Sequence, residues 1–301
     1  MTPPAASPRP PPAARPLRVC VAQLPGAPGP LPERRAWAEG ALRAAAGADL
    51  LLLPEATFPG YAPGGDPREA AAQAAAGEAW AVEAAARAGL HLAVGLGFPD
   101  ESVLLLVAPD GERWRYTKAW PTFAEAAAWR AGPGPLVART RLGPVGLALC
   151  ADVVQPGLWA GLRGRVSLLL AAGAWADYRG RAAGLSWWRA AALGPWMRRA
   201  GGHRDRTLSA GAAALGAPVA WANACGPWRG AESFSAGSGI YGPDGARRAA
   251  VEGLGPGVTS AALALQPPIP GAPTPFPLAW RAFSCAHRLA ALARSARAGR
   301  A

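Results

Sequence analysis

Apolar positions along this chain recur in two rhythms, one fitting strands and one fitting helices. "LRVCVAQ", from Leu17 to Gln23, is a short β-branched run that reads as a buried strand. In "LPERRAWAEGALRAAAG" the residues Trp37, Ala38, Ala41, Leu42 and Ala45 recur at helical spacing, so a helix with that face turned inward should follow. "ADLLLLPE" is apolar without alternation, as in a strand covered on both faces. A helix from about Arg68 to Ala88 then leads to the strand "HLAVGLGF". "SVLLLVAPDGERWRYT" and "GIYGPDGARRAAV" each break at Pro-Asp-Gly, a strong turn signal, and predict two hairpins. "VGLALC", "VSLLLAA" and "PVAWAN" supply three more strands. Strands alternating with helices, plus hairpins, predict a layered α/β domain over residues 17–265. A disordered Pro/Ala-rich tail over 1–16 should precede it, and a C-terminal arm and helix over 266–301 should follow.

Composition narrows the function classes. The chain has 301 residues, 51% of them hydrophobic, which is ample for a large core. The formal charge of +12 comes almost wholly from arginine, because Lys118 is the only lysine among 31 basic residues. Ala, Gly, Pro and Arg abound while Lys, Asn and Ile are nearly absent, the signature of GC-rich codons. The charge is therefore weak evidence for an anionic partner, and with no nucleic-acid motif present, nucleic-acid binding is not expected. "MTPPAASPRPPPAARP" has proline where a signal peptide needs an apolar segment. No run of about 18 apolar residues suggests a membrane span. Cys20, Cys150, Cys225 and Cys285 are widely spaced, with no C-x-x-C pair. They read as free thiols in a reducing compartment, so the protein is expected in the cytoplasm, with no metal and no cofactor. His91, His203 and His287 are scattered and support neither a metal site nor a Ser-His pair.

Three predicted strands end on reactive side chains. "LLLLPEATFPGY" ends in Glu55, "RWRYTKAWP" in Lys118 and "VGLALCAD" in Cys150. In α/β sheets, sites gather beyond the carboxyl ends of strands, because rigid strands aim loop residues at one place. A carboxylate can take the thiol proton, the thiolate can attack a carbonyl, and an ammonium can stabilise the resulting oxyanion. Such a base and ammonium should favour the Cys150 thiolate and make it the fastest thiol to alkylate. Taken singly, Cys150 fits a small buried hydrophobe, Glu55 a solvated loop acid and Lys118 a surface charge. A surface charge would serve equally as arginine, so the lone lysine points to a need for a compact point charge.

These motifs, with "VAQ", "YTKAWP", "PVAWANACG" and "SFSAGSGIYGPDG" in the same order, resemble the nitrilase or carbon–nitrogen hydrolase superfamily. The resemblance runs from about Arg18 to Leu265. It implies a four-layer α-β-β-α sandwich with Glu55 as general base, Lys118 as oxyanion stabiliser and Cys150 as nucleophile. It also implies the Ala151 N–H as second oxyanion donor, Tyr61 in the pocket lining, and Asn223, the only asparagine, shaping the site through hydrogen bonds. The implied activity is thiol hydrolysis of a non-peptide C–N bond in a small amide or carbamoyl compound through a Cys150 thioester. Nitrile hydrolysis by the same site and a non-catalytic binding member of the fold are the alternatives. Members commonly dimerise, so a homo-oligomer is expected.

The sequence also departs from the family pattern. Many members carry a second glutamate eight residues past the lysine; Ala126 stands there, and the neighbouring Glu125 is the candidate for that role. Nitrile-hydrolysing members usually show Cys-Trp-Glu, whereas "CAD" is closer to the amidase branches. Gly157 replaces a frequent glutamate. The Trp/Arg-rich stretch over 175–206, with Trp187, Trp188 and Trp196 near Arg189, Arg198 and Arg199, has three readings: a packed amphipathic helix, a pocket lid, or a helix touching a membrane surface.

Overall fold

Strand β1 (Leu17–Pro25) shows how the layers arise. Its side chains alternate, so Val19 and Val21 pack on one face while Cys20, Ala22 and Leu24 pack on the other. The computed structural model describes residues 15–122, 125–177, 202–228 and 232–269. The expected N-terminal tail up to residue 14, the C-terminal helix, Cys285, His287 and the Trp187–Arg199 stretch lie outside the described residues.

Beside β1 runs β2 (Leu50–Leu52), and beside that β3 (His91–Gly97), all three parallel. The hairpin strands β4 (Ser102–Val107) and β5 (Arg113–Thr117) extend this half antiparallel. The second half runs β6 (Leu136–Thr140), β7 (Gly143–Leu149), β8 (Leu168–Gly173) and, after the short β9 (Ala176–Asp177), β10 (Val219–Cys225). β11 (Ser233–Phe234) pairs with β9, and β12 (Gly239–Tyr241) and β13 (Arg247–Ala250) continue outward from β10. β14 (Gly257–Leu263) returns antiparallel along β1. The halves join where β1 meets β10, with Leu24 beside Ala224.

Packing sets the four layers. Between the halves lies one apolar cluster that mixes Val21, Leu52 and Leu104 with Leu147, Leu170 and Ala222. On the outer face of the first half, helices α1 (Leu31–Ala44) and α2 (Pro67–Ala88) bury Ala38, Ala41, Trp80 and Ala84. On the outer face of the second half, α3 (Pro156–Leu162) and a helix over residues 202–215 bury Trp159, Leu208 and Leu215. This is the expected α-β-β-α sandwich.

One expectation for α1 needs correction. Trp37 is 37% exposed, and Arg34 takes the inward place with Ala38, Ala41 and Leu42. The buried stripe follows i, i+4, i+7 and i+8 from Arg34, which leaves Trp37 at its edge. The buried guanidinium donates to the carbonyls of Thr57, Pro25 and Ala27, and so ties the loop after β2 to the end of β1.

The loop carrying Glu55 crosses β3 very closely at Gly95. A Cβ there would stand 2.3 Å from the Pro54 oxygen and 2.5 Å from both the Ala56 nitrogen and the Glu55 Cα. Those are backbone atoms with no rotamer to yield. Gly95→Ala should therefore lower the unfolding free energy by about 1–3 kcal/mol, the usual range for an overpacked core. Urea unfolding measures it, and a parental midpoint would show that the loop does not need this contact.

Candidate active site

The candidate residues lie just past strand ends. Glu55 follows β2, Lys118 directly follows β5, and Cys150 directly follows β7. All three are buried, and the Lys118 side chain is 0% exposed. Its Nζ donates to Glu55 Oε1 at 2.9 Å and to Glu125 Oε1 at 2.6 Å. The Trp129 ring centroid lies 6.0 Å from Nζ.

Each carboxylate has further donors. Ser102 Oγ donates to Glu55 Oε1 at 3.0 Å, and the Ala174 N–H to Glu55 Oε2 at 3.1 Å. Tyr61 donates its hydroxyl to Glu125 Oε1 at 2.6 Å, and the Thr122 N–H donates to Oε2. Glu125 opens a short 3₁₀ turn (Glu125–Ala127) and is buried, while Ala126 is half-buried beside it. Of the two neighbours, Glu125 is therefore the one that reaches the lysine.

The environments push the two carboxylates apart. Burial raises Glu55, and although Lys118 opposes this, the negative Glu125 adds to it, so Glu55 lies above the ordinary carboxylate value. Burial also works against ionised Glu125, but Lys118, Tyr61 and Thr122 outweigh it and hold Glu125 below the ordinary value. For Lys118, burial disfavours the ammonium, yet Glu125 and Glu55 overcome it and hold its value well above normal. The surroundings thus favour charge on Glu125 and Lys118 and disfavour it on Glu55.

The Cys150 thiol corrects an expectation. Burial pushes it well above the ordinary thiol value, Glu55 pushes it further, and Lys118 only partly offsets them. The surroundings of Cys150 thus disfavour the thiolate. Cys150 has φ of +43°, in the left-handed region that non-glycine residues seldom adopt. This strained residue begins a 3₁₀ turn (Cys150–Val154) that carries Ala151. Backbone N–H groups in a first turn have no acceptor within their own helix, which suits Ala151 as a donor to a bound oxygen.

Tyr61 and Asn223 differ in distance from the chemistry. Tyr61 touches Glu125 directly, and Trp129, Trp228 and Phe234 surround its ring at centroid distances of 5.7, 5.3 and 6.0 Å. Asn223 acts one shell out. Its Oδ1 accepts from the Trp175 N–H at 2.9 Å and its Nδ2 donates to the Ala236 carbonyl at 2.7 Å. It thereby holds the turn whose Ala174 N–H reaches Glu55.

Sequence reasoning missed Ser102, Ala174 and Asp152. Ser102 had a signal, since it is the polar residue that opens an otherwise apolar buried strand. The Gly157 departure also has a structural counterpart: a Cβ there would stand 3.1 Å from Trp120 Cζ2, so the Trp120 ring occupies the space a longer side chain would need.

The family model described as Carbon-nitrogen hydrolase matches residues 18–267. A mutant amidase of the nitrilase superfamily from Nesterenkonia AN1 superposes with a TM-score of 0.66 at 25% identity, over 82% of this chain and 91% of that one. A second mutant of the amidase from Nesterenkonia sp. AN1 shows the Michael addition of acrylamide at its active-site cysteine. It gives a TM-score of 0.68 at 25% identity, over 82% of this chain and 93% of that one. A third carries the acetamide moiety of fluoroacetamide on that cysteine, with a TM-score of 0.68 at 25% identity over 84% and 92%. No curated protein matches the chain.

The charge arrangement makes a substrate-free prediction. Lys118→Met leaves Glu55 and Glu125 buried without their ammonium and should destabilise the fold by about 3–5 kcal/mol at neutral pH. Without Lys118, both carboxylates rise above their unfolded values, so the native state binds protons more readily than the unfolded one. Stability of the variant should therefore recover as pH falls from 7 toward 5. Melting curves across that range test it; a melting temperature that dropped on acidification would contradict the charge assignment.

Proposed function

The chain belongs to the carbon–nitrogen hydrolase family, and from that premise we propose that it is a thiol amidase acting on a small carboxamide or carbamoyl compound. The observation that carries this reading is the buried Lys118 ammonium held by Glu55 and Glu125, with the Cys150 thiol within the field of all three.

In the proposed cycle, Glu55 takes the Cys150 proton as the sulfur attacks the amide carbon. The raised values of both groups suit this coupling, because the proton moves only when substrate is there to receive the sulfur. The carbonyl oxygen becomes an oxyanion between Lys118 Nζ and the Ala151 N–H. Glu55 returns the proton to the leaving nitrogen, the C–N bond breaks, and ammonia or an amine departs from a Cys150 thioester. Glu55 then deprotonates a water that attacks the thioester, and the acid leaves as the thiol regains its proton. Glu125 keeps Lys118 charged and in place throughout.

The aromatic side chains around Tyr61 favour a short acyl group. Acrylamide and fluoroacetamide, which occupy the Nesterenkonia enzyme, are of that size. We further propose a cytoplasmic homo-oligomer, with the free thiols Cys20, Cys150 and Cys225 fitting a reducing compartment.

Ammonia release from a panel of short amides tests the activity. Cys150→Ala should fold and release none, and acid quenching of the parent during turnover should leave the acyl mass on the peptide containing Cys150. An acyl mass on another residue, or turnover by the alanine variant, would remove Cys150 from its role.

The pH profile tests the division between the carboxylates. Activity needs Glu55 unprotonated, so it should fall as pH drops through the Glu55 value, which the Glu125 charge helps to raise. Glu125→Gln removes that charge and should move the acid limb of kcat/KM to lower pH while kcat itself decreases. An acid limb that stayed put or moved upward would mean that another group sets it.

A further inference from the structure

Asp152 is fully buried two residues after Cys150 and has no part in the steps above. Its Oδ2 accepts from the Tyr116 hydroxyl at 2.8 Å and from the Leu149 N–H at 2.9 Å. Its Oδ1 accepts from the Trp120 N–H at 2.9 Å. Tyr116 lies two residues before Lys118, Trp120 two residues after it, and Leu149 one residue before Cys150. One carboxylate thus brackets the segment that carries the lysine and the turn that carries the nucleophile.

A local cap would need only the Leu149 bond, in which an acidic residue in the first turn reaches back to the N–H that precedes it. The Tyr116 and Trp120 bonds instead reach across to β5 and its exit loop. A carboxylate also suits the place better than an amide, because both of its oxygens accept while every neighbour donates. The choice runs against solvation: burial pushes Asp152 up to about 6, with Lys118 and the three donors opposing. A buried charge kept at that expense implies a geometric demand that a neutral side chain would not meet.

We propose that Asp152 is a positioning residue that fixes the spacing between the two oxyanion donors, Lys118 Nζ and the Ala151 N–H. Those donors sit on different segments, and Asp152 bonds to both. The inference rests on the hydrolase reading. It places the loss in the transition state, where an oxygen must meet both donors together, and spares the binding of ground-state amide and the thiol itself.

Asp152→Asn is the informative change. If the amide oxygen keeps Leu149 and Tyr116, its NH₂ faces the Trp120 N–H, donor against donor, and the lysine segment is released. Tyr116→Phe is milder and leaves two of the three bonds. For each folded variant, kcat and KM are measured on the best amide, together with the rate at which methyl methanethiosulfonate modifies Cys150. That reagent has no carbonyl to place between the donors, so it reports on the thiol alone. Asp152→Asn should lose about a hundred-fold in kcat, the scale of one lost oxyanion donor, with KM and thiol modification within about threefold of the parent. Tyr116→Phe should show the same split at about three- to tenfold, and it decides the matter if the asparagine variant does not fold. Parental kcat in the folded variants, a loss confined to KM, or an equal fall in turnover and thiol modification would overturn the inference while the hydrolase reading stands. A parent that releases ammonia from no amide would instead overturn the hydrolase reading, and this inference with it.

Discussion

A single ammonium buried between two carboxylates is the constraint around which this molecule is arranged. Lys118 is wholly excluded from solvent, as are Glu55 and Glu125. Isolated, any one of these charges would be prohibitively costly in such a place; together, and with Ser102, Tyr61, Thr122 and Ala174 donating, they are held. The partners come from distant parts of the chain, so the trio can form only when the sandwich has closed. Strand β4 begins on Ser102, which touches it, β5 and β8 end directly before Lys118 and Ala174, and β2 ends three residues before Glu55. Fold and site are therefore interdependent.

The trio is also unequal, which gives it direction. Each carboxylate has the lysine, a hydroxyl and a backbone N–H, but the lysine and hydroxyl bonds to Glu125 are both 2.6 Å while those to Glu55 are 2.9 and 3.0 Å, and Glu55 also feels the repulsion of Glu125. Two carboxylates on one ammonium would otherwise be interchangeable. The asymmetry lowers one carboxylate and raises the other from the ordinary value. The upward push on the Cys150 thiol fits the same arrangement, since a thiolate beside two carboxylates would add a further negative charge to a buried site.

How much of this can be read in the sequence depends on the range of the interaction. Glu55, Lys118 and Cys150 are visible because each ends a predicted strand and because one lysine survives in an arginine-rich chain. The layers are visible because strand and helix periods differ. Trp37 was misplaced because a helical stripe has soft edges, and only the packing of Arg34 onto three carbonyls fixes the phase. Asp152 stands two residues after Cys150 in the sequence, but its partners are donors from β5, its exit loop and β7, whose proximity no local pattern encodes. Asn223 could be picked out as an organiser by type and rarity, while the turn it organises, Ala174 to Trp175, required the pairing of β8 with β10.

The departures from the family pattern follow the same logic. What the lysine requires is an oxygen at hydrogen-bond distance, not a residue at a fixed offset. Here the Thr122 N–H donates to Glu125 Oε2, the Ala126 N–H donates to the Thr122 carbonyl, and the acid seven residues past the lysine meets it. The glycine at 157 and the tryptophan at 120 likewise form one unit, a missing side chain matched to a large ring. Trp120 is also the residue whose N–H Asp152 holds. A bulky ring against α3 on one side and a backbone bond to the nucleophile turn on the other keep the lysine segment in place. The shift of the acid from position 126 to 125, which looks like a loss taken position by position, thus keeps a carboxylate on the lysine.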